Sequence, residues 1–178
     1  MKHSDRIAKA AAFAAEKHQG QVRKSRQQTP YINHLEEVAK LVAQFGGNEE
    51  TIIAAWLHDV VEDCPPTSIA DIAEVFGERV ALLVAEVTDD KSLPKAQRKR
   101  LQVETADKKS LEASLIKLAD KIANVRELGV SPPMSWDDER RVTYLEWSIE
   151  VVANLSHKPP AAIEMFEHIC IETRERLE

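Results

Sequence analysis

Glycine and cysteine are scarce in this sequence of 178 residues, with 5 and 2 copies respectively. Aromatic residues make up only 5% of the chain. The 8 prolines fall in short breaks such as Pro65-Pro66 and Pro159-Pro160. Few glycines and clustered prolines favour long helices over many tight turns.

Long apolar runs are also missing. No stretch approaches the ~18 apolar residues that a membrane-spanning helix needs, and the charged residues that follow Met1 do not resemble a secretory signal. Cys64 and Cys170 have neither metal-knuckle nor redox-pair spacing, so we interpret them as free thiols of a reducing compartment. The sequence therefore predicts a cytoplasmic protein with no membrane partner.

Positive charge is in the minority, because the formal net charge is −6. This balance argues against nucleic acid as the main partner. The positive charges that exist are concentrated in Arg23, Lys24 and Arg26 and in residues 91–100, which carry five positive charges and no negative one. Two local basic clusters suit a small polyanionic ligand, and the alternative is that each cluster is only a solvated face.

Apolar residues recur at helical spacing along almost the whole chain. Residue types that cap helices precede most of these segments. They are Ser4, Asn48, Thr67 or Ser68, Ser110, and Asp137 or Asp138. One helix is predicted to begin at Asn48 and to continue through residues 57–63 as far as Pro65. No strand pattern is present, so we predict one all-α domain over residues 1–178.

The run from Leu57 to Asp63 places a His-Asp pair inside an apolar helical segment, with two more carboxylates one turn later. Residues three and four apart share a helix face, so His58, Asp59, Glu62 and Asp63 can converge. Burying this much charge without a partner would cost roughly several kcal/mol or shift the pKa values. A bound cation is the simplest compensation, and the run is a candidate metal site.

Two more polar residues, His34 and Asp120, stand in apolar helical surroundings. Each has an ordinary explanation on its own, as a histidine at a helix start and as an exposed or salt-bridged aspartate. Together with His58 and Asp59 they would supply two imidazoles and two carboxylates. Nitrogen and oxygen ligands without thiolate suit Mn²⁺ or Fe²⁺ better than a structural Zn²⁺ site.

Five short strings are spread along the chain at residues 18–24, 29–34, 57–63, 86–91 and 117–121. Together they resemble the HD phosphohydrolase superfamily and, within it, the hydrolase domain of RelA/SpoT proteins. The resemblance extends from about Phe13 to Leu155. It is greatest to the small, single-domain alarmone hydrolases, a group with metazoan members, and it implies a helical HD-domain fold.

The resemblance implies a Mn²⁺-dependent hydrolase, with one divalent ion per chain, that removes the 3′-pyrophosphate from ppGpp and pppGpp. The metal ligands carried over by motif are His34, His58, Asp59 and Asp120. Glu62 and Asp63 match the acidic pair that activates or positions water. General-base catalysis needs a carboxylate that lies near the water and is not occupied by the metal, and Glu62 fits that requirement.

The resemblance also implies which residues bind the substrate. They are Arg23 and Lys24 near the base and its phosphates, Tyr31 and Asn124 in the nucleoside pocket, and Lys95, Arg140 and Tyr144 on the phosphate side. Cationic side chains there would neutralise the charge of two pyrophosphates. We interpret Arg98 and Lys99 as solvated charges, and Trp56 and Trp147 as core residues.

Two other functions fit part of this pattern. The same metal site could act on another phosphate ester, such as the 2′-phosphate of NADPH, because a fold does not fix a substrate. A non-catalytic module that binds the alarmone would be favoured if a ligand or Glu62 were missing, and all are present. The apolar helices leave room for a homodimer, a state that the sequence does not specify.

Overall fold

The computed structural model describes residues 3–177, and these residues form ten α-helices. The helices are α1 (His3–Lys17), α2 (Ile32–Gln44), α3 (Glu49–Leu57), α4 (Val60–Asp63), α5 (Ile69–Phe76), α6 (Glu78–Val87), α7 (Lys95–Glu104), α8 (Leu111–Val130), α9 (Asp138–Asn154) and α10 (Pro160–Leu177). A single 3₁₀ turn, Ala106–Lys108, precedes α8. Within residues 3–177 there is no strand, only one isolated antiparallel bridge between Val22 and Pro30. The prediction of an all-α fold is therefore confirmed.

The core is built around α8. Its residues 113–123 are buried without interruption, which requires other helices on all sides. Helices α2, α3, α6, α9 and α10 pack against it. A polar residue in the middle of α8, such as Asp120, is therefore carried into the interior of the protein. None of the helices in the described range combines the length and the apolar character that a membrane crossing requires.

Most of the predicted caps are present. The side chains of Asn48, Ser110 and Asp137 accept hydrogen bonds from backbone amides in the first turns of α3, α8 and α9. Ser68 and Asp71 form a reciprocal capping box at α5. Each cap satisfies an amide that would otherwise lack a partner. The prediction for Ser4 is wrong, because this residue lies within α1, which already includes His3.

The helix predicted between residues 48 and 65 is interrupted at the His-Asp pair. Helix α3 ends at Leu57 and α4 begins at Val60, so that His58 and Asp59 form the turn between them. Asp59 has φ −103° and ψ −6°, which lies in the sparsely populated region where many active-site residues are found. Leu57 and Val60 are fully buried and anchor both sides of the turn. The turn allows the Asp59 carboxylate to approach the imidazole of the preceding residue.

Candidate metal centre and substrate cavities

Three segments that are distant in sequence bring the four predicted metal ligands together. His34 lies in the first turn of α2, His58 and Asp59 form the turn after α3, and Asp120 lies in the middle of α8. Because α2, α3 and α8 pack against one another, these side chains meet at the place where the three helices converge.

The distances within this cluster fit a single ion. His34 Nε2 lies 3.2 Å from Asp120 Oδ1 and 3.8 Å from Asp59 Oδ2. His58 Nε2 lies 3.1 Å from Asp59 Oδ2 and 3.7 Å from Asp120 Oδ1. Ligand atoms of His34, His58 and Asp120 all lie within 4.8 Å of one another, and Asp59 is at the more exposed edge. Such spacings suit donors that each approach one metal ion to about 2.0–2.2 Å.

The hydrogen bonds around the imidazoles leave the ligating nitrogens free. His58 Nδ1 donates to the carbonyl of Ala55 at 2.7 Å, so Nε2 is the nitrogen that can bind a metal ion once it has lost its proton. His58 Nε2 and both ring nitrogens of His34 are buried and have no hydrogen-bond partner among the described residues. Buried polar atoms without a partner are uncommon. The residues present therefore fit a divalent metal ion.

The charges of the cluster shift its pKa values. Burial opposes ionisation of Asp59, but the His58 imidazole outweighs it and holds the pKa of Asp59 well below its usual range. In the same way, Lys121 and the two imidazoles overcome burial and lower the pKa of Asp120. Burial lowers the pKa of His34. Burial also disfavours the imidazolium of His58, but the adjacent carboxylates raise its pKa to about 10, so a metal ion has to displace a proton there.

Three of the predicted substrate residues are connected to the metal ligands by hydrogen bonds. The hydroxyl of Tyr31 donates to Asp59 Oδ2 at 2.6 Å. Asn124 Nδ2 donates to Asp120 Oδ1 at 2.6 Å, and an Arg23 guanidinium nitrogen donates to Asn124 Oδ1 at 2.8 Å. Partners of this kind orient metal-binding carboxylates. These side chains therefore hold the cluster in shape in addition to lining the adjacent cavity.

The acidic pair after the His-Asp turn is held by two basic side chains. Glu62 Oε1 lies 3.6 Å from Arg98, and Oε2 accepts the backbone N–H of Asp89 at 3.2 Å. Burial, with the nearby charges of Asp59 and Asp89, raises the pKa of Glu62. Asp63 forms an ion pair with Lys91. The interpretation of Arg98 as a solvated charge is therefore wrong, because its guanidinium contacts Glu62.

A cavity of about 540 Å³ lies beside the cluster. Its size is in the range of small-molecule sites. The predicted site residues that line it are Arg23, Lys24, Tyr31, Asp63, Asn124 and Tyr144. Six of the predicted site residues therefore line one continuous cavity.

A smaller cavity of about 320 Å³ shares Trp136 and Tyr144 with the first one. Lys95 and Arg140, both predicted for the phosphate side, lie in its wall together with Lys99. The guanidinium of Arg140 lies 4.5 Å from the centroid of the Trp136 ring. Trp136 was not among the predicted site residues, although an aromatic residue directly before the cap of a helix was a signal that could have been used.

The HD domain family matches residues 10–157 of the chain. The chain belongs to the HD domain family. Its predicted resemblance to this family is confirmed, and the matched range includes the whole of the predicted motif-bearing part, from about Phe13 to Leu155.

Individual relatives of this HD domain protein are closely similar over most of its length. The guanosine-3′,5′-bis(diphosphate) 3′-pyrophosphohydrolase MESH1 of Drosophila melanogaster is 50% identical over 145 residues, which cover 80% of each chain. The relative of the same name from Homo sapiens is 44% identical over 165 residues, which cover 92% of each chain. A solved structure, described as a metazoan ortholog of SpoT that hydrolyzes ppGpp, is 43% identical and superposes with a TM-score of 0.89. That superposition covers 96% of this chain and 95% of the other.

Two further interpretations need correction in this HD domain protein. Trp147 is not a core residue, because its half-buried ring lies 4.4 Å from the ammonium groups of both Lys99 and Lys121. Lys99 is half-buried against Trp147 and Tyr144 and is not a solvated charge. Trp56, by contrast, packs against the core as predicted.

Proposed function

We propose that this chain is a metal-dependent guanosine-3′,5′-bis(diphosphate) 3′-pyrophosphohydrolase, which converts ppGpp to GDP and pppGpp to GTP with release of pyrophosphate. The observation that carries the proposal is the complete two-histidine, two-carboxylate cluster beside a nucleotide-sized cavity whose smaller neighbour is lined by cations. The relatives that bear this enzyme name over most of the chain support it.

The metal cluster would hold one divalent ion through His34, His58, Asp59 and Asp120. A donor set of nitrogen and oxygen without thiolate suits Mn²⁺ or Fe²⁺. We propose Mn²⁺ of these two, because of the resemblance to the RelA/SpoT hydrolases. When bound, such an ion lowers the pKa of water and polarises a phosphoryl oxygen.

Glu62 is the proposed general base. Its carboxylate is held by Arg98 and by the amide of Asp89, and its raised pKa brings it closer to the range in which a base is effective at neutral pH. It takes a proton from the attacking water, whose oxygen bonds to the phosphorus attached to O3′. The bond between that phosphorus and O3′ breaks, O3′ takes up a proton, and pyrophosphate leaves. Asp63, which forms an ion pair with Lys91, would orient the attacking water or a side chain beside that water.

The two cavities would bind the parts of the substrate that lie away from the metal cluster. The larger cavity would take the guanosine between Tyr31, Asn124 and the cations Arg23 and Lys24. Arg23 is already paired with Glu127, so it serves mainly to fix Asn124. Lys24 is the exposed cation of this pair of residues, and it would provide the direct charge contact with the phosphates.

The test is a hydrolysis assay of the purified chain on ppGpp, after removal of metal and after addition of Mn²⁺, Fe²⁺ or Mg²⁺, with identification of both products. We expect GDP and pyrophosphate in equal amounts, and Mn²⁺ to restore the highest rate. Absence of turnover at saturating Mn²⁺ would contradict the proposal. Initial rates on NADPH, measured side by side, decide whether the 2′-phosphate of that nucleotide is the preferred substrate instead.

Three further aspects of the proposal concern the whole chain. We propose that residues 1–178 form a single HD-type domain that acts in the cytoplasm, without a nucleic acid or membrane partner. The thiols of Cys64 and Cys170 are buried and free, which is compatible with a reducing compartment. A homodimer stays a prediction, which light scattering after size-exclusion chromatography tests.

A further inference from the structure

Helix α7 presents cations to two different parts of the site. Arg98 faces Glu62. Lys95 and Lys99 are four residues apart, so they share a different face of the helix, and both line the smaller cavity with Arg140 from α9.

The cations of the smaller cavity differ from three other basic residues of the site. Arg23, Lys91 and Arg98 each have a carboxylate oxygen within 4.0 Å. In the described range, none of Lys95, Lys99 and Arg140 forms an ion pair within that distance. Three positive charges therefore line one cavity without a direct ion pair, while Asp137 and Glu139 lie in the same wall. The mutual repulsion of the three cations favours binding of an anion.

Lys99 is the member of this group that the surrounding structure orients most. Its ammonium lies 4.4 Å from the centroid of the Trp147 ring and 5.1 Å from that of Tyr144. Its backbone carbonyl accepts a hydrogen bond from Trp147 Nε1 at 3.0 Å. Aromatic faces attract ammonium groups, so the side chain is held against the wall of the cavity instead of extending into solvent.

We propose that Lys99 is a substrate-binding residue that holds, with Lys95 and Arg140, the phosphate group of the substrate farther from the metal cluster. None of the four metal ligands lines this cavity, so the group bound there is the one that is not cleaved. For ppGpp this group is the 5′-pyrophosphate. The nature of the substrate rests on the proposed function, whereas the anion site rests on the cavity and its unpaired cations.

The first experiment measures binding of inorganic pyrophosphate to the full chain after treatment with a chelator, by isothermal titration calorimetry. Lys99→Met should weaken binding about 10-fold, the effect of one charge-assisted hydrogen bond, while Lys99→Arg keeps most of the affinity. Arg100→Met is the matched control, because the neighbouring Arg100 is exposed and points to Glu104, and it should change the affinity by less than about twofold. Unchanged affinity in Lys99→Met would overturn the proposal.

The second readout is proton uptake on binding. Burial and the positive charges of Lys95, Lys121 and Arg140 lower the pKa of Lys99 to about 8. The other titratable groups facing this cavity are Tyr144, Asp137 and Glu139. An anion favours the ammonium form, so at pH 8 binding of pyrophosphate should take up about half a proton through Lys99.

Titrations in two buffers of different ionisation enthalpy measure this uptake. It should disappear in Lys99→Met and persist in Arg100→Met. A purely structural role of Lys99 would not produce it, and equal uptake in the wild-type chain and in Lys99→Met would overturn the proposal.

Kinetics separate this inference from the proposed function. Lys99→Met should raise KM for ppGpp about 10-fold with kcat nearly unchanged, and raise it less for the analogue with a single 5′-phosphate. Hydrolysis of ppGpp with an unchanged KM would overturn the role of Lys99 and leave the proposed function intact. Loss of pyrophosphate binding in Lys99→Met, in a chain that does not hydrolyse ppGpp, would support the anion site and contradict the proposed function.

Discussion

The metal cluster and the smaller cavity both concentrate charge, but the charges are balanced in opposite ways. In the cluster, the buried carboxylate of Asp120 contacts two imidazoles, Asn124 and Lys121. In the smaller cavity, Lys99 and Arg140 lie against aromatic rings and form no ion pair with a carboxylate. The cluster thus presents donor atoms suited to a cation, and the cavity presents positive charges suited to an anion.

This difference indicates that the two regions have different roles, one in metal binding and the other in substrate binding. The network around the cluster fixes the ligand atoms before a metal ion binds, so metal affinity depends on every member of it. The cations of the cavity repel one another until an anion enters, so we expect them to contribute mainly to substrate affinity. The two regions should therefore respond separately to substitution.

The largest effect is expected for Asp120→Ala. It removes one ligand and leaves the buried ammonium of Lys121 without its partner, so we expect metal binding and turnover to fall below detection. Inductively coupled plasma mass spectrometry and the ppGpp assay measure this. Pyrophosphate binding by the chelator-treated chain should stay within about twofold of wild type, and an equal loss there would show that the two regions are coupled.

Glu62→Gln should have the next largest effect, because it keeps the shape of the side chain and removes the carboxylate that we propose as the general base. We expect kcat to fall by about 10²–10⁴-fold, with the metal content unchanged. Glu104→Gln on the exposed surface of α7 is the matched control and should be neutral. If Glu62→Gln also lost the metal, Glu62 would belong to the cluster as a ligand.

Lys95→Met should have a smaller effect on the cavity than Lys99→Met. Lys95 is exposed and has no aromatic contact that fixes it, and solvent screens exposed charges. We expect KM for ppGpp to rise about threefold with kcat unchanged, as measured by initial rates at fixed ionic strength. A larger increase than in Lys99→Met would reverse the order that we assign to these cations.

The smallest effect is a shift of the pH profile in Asp89→Asn. The negative charge of Asp89 disfavours ionised Glu62 and so contributes to its raised pKa. The neutral amide introduced by this substitution should lower the pKa of Glu62, so that Glu62 stays deprotonated at lower pH. The acid limb of the plot of kcat against pH should therefore move to lower pH. The rate at the optimum should stay within about twofold, and a shift to higher pH would contradict the assignment of Glu62 as the base.

The sequence predicted the cluster well because its residues lie in short strings with a fixed local geometry. His58 and Asp59 are adjacent in the chain and Glu62 follows three residues later, so the three side chains cannot lie far apart. The break at the His-Asp pair was not predictable from periodicity, because the apolar pattern of Leu57 and Val60 continues through it. Only the contact between the Asp59 carboxylate and two imidazoles shows why the regular helix is abandoned there.

The cations of the cavity were harder to predict, because their roles depend on tertiary contacts. Arg98 and Lys99 are adjacent in one basic run and look equally solvated. The pitch of α7 directs one towards Glu62 and the other towards Trp147. Neither contact has a signal in the local sequence, since Trp147 follows 48 residues later. The packing of α9 against α7 gives the side chains of Arg98 and Lys99 different surroundings.

The placement of the tryptophans gives the protein an optical reporter of its own. The chain has 3 tryptophans, and two of them, Trp136 and Trp147, lie directly against cations of the smaller cavity. Indole emission is sensitive to a nearby ammonium or guanidinium charge, so filling of the cavity should change the intrinsic fluorescence. Trp56 packs against the core and supplies the constant background against which that change can be followed without a label.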